Sequence, residues 1–153
     1  MLFRSLVVDF IGQLLNNLWF GLVVVLVALV VSAALFHNWQ YWLRLWGAFL
    51  LMQVVVWTIK LFVVRPRPIG DHGIASPSFP SGVAADAGFV AAFLSLQYPK
   101  YSALWHSIGI AGALLRVYVD AHYVSDVVVG YLIGVLIVRT TQEAFCRPSM
   151  SIQ

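Results

Sequence analysis

This chain reads as an all-α bundle of helices embedded in a membrane. Hydrophobic residues fill 61% of its 153 positions and charged residues only 10%, whereas soluble domains carry charge at about a quarter of theirs. The apolar residues also run in blocks long enough to cross a hydrocarbon core as helices, with short polar breaks between them. About five transmembrane helices fit, with a further N-terminal helix at the interface. One domain is expected over residues 1–153, because this length leaves no room for a separate soluble head. The formal charge is +3, but the basic residues are scattered through lipid-buried sequence rather than gathered in a soluble patch. That excludes nucleic acid as a partner and favours the bilayer and an anionic lipid. The lone Cys146 excludes an internal disulfide.

The elements follow from the breaks. Leu2 to Leu15 is apolar but interrupted by Arg4, Asp9 and Gln13, which suits a helix lying at the interface. Leu18 to Phe36 is a nearly uncharged run rich in Val and Leu, long enough for a first span and too long for a signal-peptide core. A second span fits Tyr41 to Val64, opening on interfacial Tyr41, Trp42 and Trp46. It stops at Arg65-Pro66-Arg67-Pro68, where proline cannot continue a helix. Ile69 to Pro80, with its Gly, Pro, Ser, Asp and His, is the long polar loop, and loops of this kind carry function. Three further helices fit Ser81 to Leu96, Ser102 to Tyr118 and Val124 to Phe145, separated by Tyr98-Pro99-Lys100 and by Asp120 to Tyr123.

With five spans, Arg44, Lys100 and Arg147 fall on one face, and Arg139 lies nearest to it. Basic residues without another task mark the cytoplasmic side. The opposite face is then the exterior or periplasm of a bacterial inner membrane.

Three patches of polar sequence converge on that outer face. Arg116, His122 and Asp126 are costly beside lipid unless they pair or line a wet cavity, which makes them functional candidates. A helical stretch from His122 sets Asp126 one turn away, where the carboxylate can orient the imidazole as a nucleophile or base. The plainer alternative is an ion pair between Arg116 and Asp126, with His122 bonded to a backbone carbonyl. Lys60 and Arg67 add two cations, and Ser81-Gly82 open a helix whose free N–H groups suit a phosphate. Three cations around a helix N-terminus describe a phosphate pocket.

Lys60-x6-Arg67-Pro68, Pro80-Ser81-Gly82 and Arg116-x5-His122-x3-Asp126 resemble, in order and spacing, the three-part signature of the type 2 phosphatidic acid phosphatase superfamily. The resemblance covers about Gln53 to Tyr131. It implies a phosphatase that needs no metal or other cofactor and works through a phosphohistidine. His122 is then the nucleophile, with Asp126 its orienting partner. Lys60, Arg67, Arg116, Ser81 and Gly82 would hold the phosphoryl oxygens. The hydrophobicity of the chain points to the membrane lipid phosphatases of that superfamily rather than to its soluble branches.

One position departs from the signature. The second patch ordinarily ends in a histidine that protonates the leaving oxygen, and here that position is Val83. Losing a general acid typically costs about 10²- to 10⁴-fold. A diphosphate lipid, whose leaving group is itself a phosphate, suffers least, which favours an isoprenoid diphosphate such as undecaprenyl diphosphate. His72, Asp86 and Asp120 are the nearby candidates to replace the acid. Hydrolysis of phosphatidylglycerophosphate, phosphatidic acid or lipid A, or phosphoryl transfer to another lipid, are the other enzymatic readings. A non-catalytic protein that binds or moves anionic lipids is the reading from outside enzymology.

Overall fold

The computed structural model describes residues 39–68 and 76–146. The expected interfacial helix and first span, most of the long loop with His72, and the residues after Cys146 lie outside the described residues. Among the described residues every regular element is helical: α1 (Trp39–Val63), α2 (Gly82–Gln97), a 3₁₀ turn (Pro99–Tyr101), α3 (Ser102–Tyr118) and α4 (Val124–Cys146). Each begins and ends within a few residues of its expected bounds. By length and composition α1 and α4 can cross a bilayer, whereas α2 and α3 have 16 and 17 residues.

Local chemistry fixes the helix ends. Val64 closes α1 by donating its N–H to the Lys60 carbonyl at 3.1 Å, and it does so at φ 43°. That left-handed conformation costs an L-residue roughly 1–2 kcal/mol, and glycine is the usual occupant. Ser81 caps α2, its Oγ accepting from the Ala84 N–H at 3.4 Å. The end of α3 is a Schellman turn: Asp120, at φ 55°, donates its N–H to the Val117 carbonyl, and Ala121 donates to that of Arg116. At the start of α4, Asp126 reaches back to accept the Tyr123 N–H at 3.0 Å, half of a capping box.

Helix α2 lies at the centre, packed against α4 and α3, with α1 on the other side of α4. Met52, Val56, Ala85, Phe89, Ala92 and Val138 form the largest apolar core. Small residues let α2 and α4 touch backbone to backbone: a Cβ on Gly134 would sit 2.1 Å from the Ala85 carbonyl oxygen, and one on Gly130 would sit 2.3 Å from that of Ser81. This contact holds the N-terminus of α2 beside that of α4, where the Ser81 N–H donates to the Asp126 carbonyl at 3.0 Å.

Outward faces of the helices are apolar. Leu50, Leu61, Phe62, Ile108 and Leu136 are all more than half exposed, a surface that suits lipid and not water. Two polar pairs lie inside the bundle, where an apolar surrounding favours pairing. The Gln53 amide donates to Asp86 Oδ1 at 2.8 Å, and His106 Nδ1 lies 2.8 Å from the Tyr131 hydroxyl. His106 has no role in the sequence reading; here it ties α3 to α4.

Gly134→Ala is expected to lower stability by about 1–3 kcal/mol through forced separation of α2 and α4. Gly47→Ala, whose Cβ meets nothing within 4 Å, is expected to be neutral. Thermal unfolding in detergent of the two variants beside wild type checks the contrast.

Candidate active site

His122 sits between α3 and α4, 4% exposed, in a turn that the end of α3 dictates. The Arg116 carbonyl accepts both the Ala121 and His122 N–H groups, at 3.1 and 3.2 Å. Residues six apart in sequence are thereby folded onto one another, and the Arg116 side chain is buried beneath them.

The imidazole has two distinct edges. Nε2 lies 3.2 Å from Arg67 Nη1. A guanidinium has no lone pair to offer, so this contact requires an unprotonated Nε2 and leaves the ring proton on Nδ1. Nδ1 faces Asp126 Oδ2 at 3.6 Å, within ion-pair reach and longer than a hydrogen bond. The His122 pKa is pulled down to about 3, chiefly by burial and then by Arg67, Arg116 and Lys60, with a bond to the Ser78 backbone acting the other way. A neutral imidazole keeps a lone pair on Nε2, the form that nucleophilic chemistry requires.

Around it, Lys60 comes from the last turn of α1, nearly buried, its Nζ donating to the Pro77 carbonyl at 2.6 Å. Arg67 is clamped by Ser76 and Ala121: Nε donates to the Ser76 carbonyl, Nη2 to the Ser76 hydroxyl and Nη1 to the Ala121 carbonyl. Burial lowers the Arg67 pKa, and Asp126 opposes the shift. Ser78, fully buried, staples the returning loop with its N–H on the Arg65 carbonyl and its hydroxyl on that of Pro66. Gly82 opens α2 with nothing within 4 Å of where a Cβ would stand. The first N–H groups of a helix lack intrahelical backbone partners, and that of Gly82 is one of them.

The three sequence patches therefore meet, through Lys60 and Arg67, Ser81 and Gly82, and Arg116, His122 and Asp126. Asp126 is paired with Arg65, at 2.8 Å. Asp86 lies on α2 with its carboxylate turned to α1. It is held by Gln53, which lies seven residues before Lys60 on α1, about 10 Å along the helix. Asp120 has a backbone task as the left-handed residue of the Schellman turn. Val83 follows Gly82 in the first turn of α2 and has no titratable group to offer. Arg65 is the residue that motif reading missed, since it falls among the unspecified positions between Lys60 and Arg67; its place two residues before Arg67 was the one available signal.

Because the folded pKa of His122 lies below its ordinary 6.5, the unfolded chain binds the extra proton between the two values. Its contribution to stability is complete above pH 6.5 and is lost as pH falls toward 3. The loss is at most about 1.4 kcal/mol per pH unit. Unfolding temperature is expected to fall more steeply on acidification for wild type than for His122→Asn, measured by calorimetry in detergent.

A sequence profile of the PAP2 superfamily matches residues 41–145. The chain is 30% identical over 133 residues to a lipid A 1-phosphatase of Rhizobium johnstonii, covering 76% of this chain and 52% of that protein. It is 37% identical over 120 residues to a lipid A 1-phosphatase of Rhizobium etli, covering 67% and 49%. The chain thus spans about half the length of the curated relatives it matches. Its fold is similar to that of a transmembrane PAP2-type phosphatidylglycerolphosphate phosphatase from Bacillus subtilis. That match has a TM-score of 0.65 and 23% identity, over 94% of this chain and 86% of the other. The matched residues contain every patch that builds the pocket, and the chain belongs to the PAP2 superfamily.

Proposed function

We propose that this chain is a single-domain, metal-independent lipid phosphatase in which His122 Nε2 attacks the terminal phosphorus of a membrane-embedded substrate. The observation that carries this reading is the neutral Nε2 edge turned to Arg67 while Nδ1 faces Asp126. The bond from phosphorus to the leaving oxygen breaks as the bond to Nε2 forms. Lys60, Arg67, Arg116, the Ser81 hydroxyl and the Gly82 N–H offset charge on the phosphoryl oxygens. Water then attacks the phosphohistidine, releasing inorganic phosphate and restoring the imidazole. The site faces the outer side of a bacterial inner membrane, in keeping with Arg44, Lys100 and Arg139 at or near the other end of the helices.

Val83 narrows the substrate. With no acid at that position, a leaving group that departs without a proton is favoured, and the phosphate of an isoprenoid diphosphate such as undecaprenyl diphosphate is one. The names of the two Rhizobium relatives favour a second reading, removal of the lipid A 1-phosphate.

Phosphate release in detergent from undecaprenyl diphosphate, lipid A and phosphatidic acid tests both. Turnover is expected on the diphosphate or on lipid A. His122→Ala is expected to abolish it, and Val83→His to raise phosphatidic acid turnover by about 10²-fold or more. Binding without phosphate release from any of the three would favour a lipid-binding protein instead. Gly82→Ala meets no protein atom within 4 Å, so it is expected to keep the fold and raise KM through contact with the bound phosphoryl group.

A further inference from the structure

We infer that Arg65 is a positioning residue for the nucleophile, acting through Asp126. The inference rests on the reading of His122 as the attacking group, and nothing in the three-part signature specifies position 65. Arg65 Nη1 donates to Asp126 Oδ1 and to Ser125 Oγ, both at 2.8 Å, and its guanidinium carbon lies 4.0 Å from the centre of the Tyr123 ring. The Arg65 carbonyl accepts the Ser78 N–H at 2.9 Å, so its backbone is fixed as well as its side chain. The preceding Val64 is held at φ 43°, a conformation a β-branched residue keeps only when its surroundings impose it. That turn aims Arg65 at the start of α4.

Asp126 is fully buried, and its two oxygens are divided. Oδ1 belongs to Arg65; Oδ2 accepts the Tyr123 N–H and faces His122 Nδ1. A buried carboxylate without a cation is costly, and one free to rotate does not hold an imidazole in place. Arg65 supplies a hydrogen-bonded cation on Oδ1 and, with the Tyr123 N–H on Oδ2, stops the rotation. It does so on the Nδ1 side of the ring, whereas Arg67 meets Nε2 on the side where phosphorus must approach. Arg67 is thus placed to bind the phosphoryl group and Arg65 to orient the group that attacks it. The two arginines, two residues apart, divide substrate binding from nucleophile alignment.

Kinetics of wild type, Arg65→Gln, Arg65→Lys and His122→Ala on undecaprenyl diphosphate and lipid A in detergent test the division. Arg65→Gln is expected to lower kcat about 10- to 100-fold, by analogy with the partners that orient metal-bound histidines. KM is expected to stay within about twofold, since substrate binding is untouched in this account. Arg65→Lys, which keeps the charge and loses the fork, is expected to recover part of kcat. Protection against thermal unfolding by inorganic phosphate is expected to match wild type in both variants, reporting a folded and intact pocket. A raised KM at unchanged kcat would make Arg65 a substrate-binding group and overturn the inference, and so would wild-type kcat in Arg65→Gln. If Arg65→Gln fails to fold, Arg65→Lys decides by the same split between kcat and KM. Full activity in His122→Ala would instead sink the underlying phosphatase reading, a result separable from any outcome at Arg65.

Discussion

Four cationic side chains, Lys60, Arg65, Arg67 and Arg116, are gathered at one end of a helical bundle around a buried imidazole, with Asp126 as the fully buried carboxylate among them. Like charges in a partly desolvated site repel, and the arrangement persists only because backbone carbonyls and one carboxylate compensate it. Pro77, Ser76 and Ala121 supply those carbonyls to Lys60 and Arg67. Burial, and after it the surrounding positive charge, keeps His122 neutral, and a phosphoryl group carries the charge opposite to that of the cations. The gathered positive charge that is costly to hold together is thus what suits the site to an anion.

The rest of the fold serves this gathering. The α2–α4 backbone contact at Gly130 and Gly134 sets two helix N-termini side by side, so that Ser81 and Asp126 bond through their backbones. The Schellman turn at Asp120 folds the end of α3 back until His122 lies over Arg116. Val64 breaks α1 at the level where Lys60, Arg65 and Arg67 all reach the pocket. Each device is local, and together they bring three distant stretches of chain to one site. The apolar exterior leaves those charges few other places to be, because lipid-facing positions reject them.

Much of this was legible in the sequence because the relevant signals are local. Ser81 before an apolar run, Pro66 and Pro68 after one, and the polar break from Asp120 to Tyr123 marked helix ends to within a few residues. The spacing from Arg116 to His122 to Asp126 marked the pocket. What was not legible depends on pairs distant in sequence. Arg65 and Asp126 are 61 positions apart, Gln53 and Asp86 33, and His106 and Tyr131 25. No periodicity names such partners. The bond from Gln53 to Asp86, inside the bundle, is of this kind. Val64 escaped notice for another reason, since a β-branched residue gives no hint of a left-handed turn.

The central claim is that His122 Nε2 becomes bonded to phosphorus. Rapid acid-free quenching of the detergent-solubilised protein during turnover of a lipid diphosphate labelled in its terminal phosphate, followed by peptide mapping, tests it most directly. A base-stable, acid-labile phosphoryl group is expected on the peptide carrying His122, and none in His122→Ala. Label on another residue, or turnover that persists in His122→Ala, would contradict it.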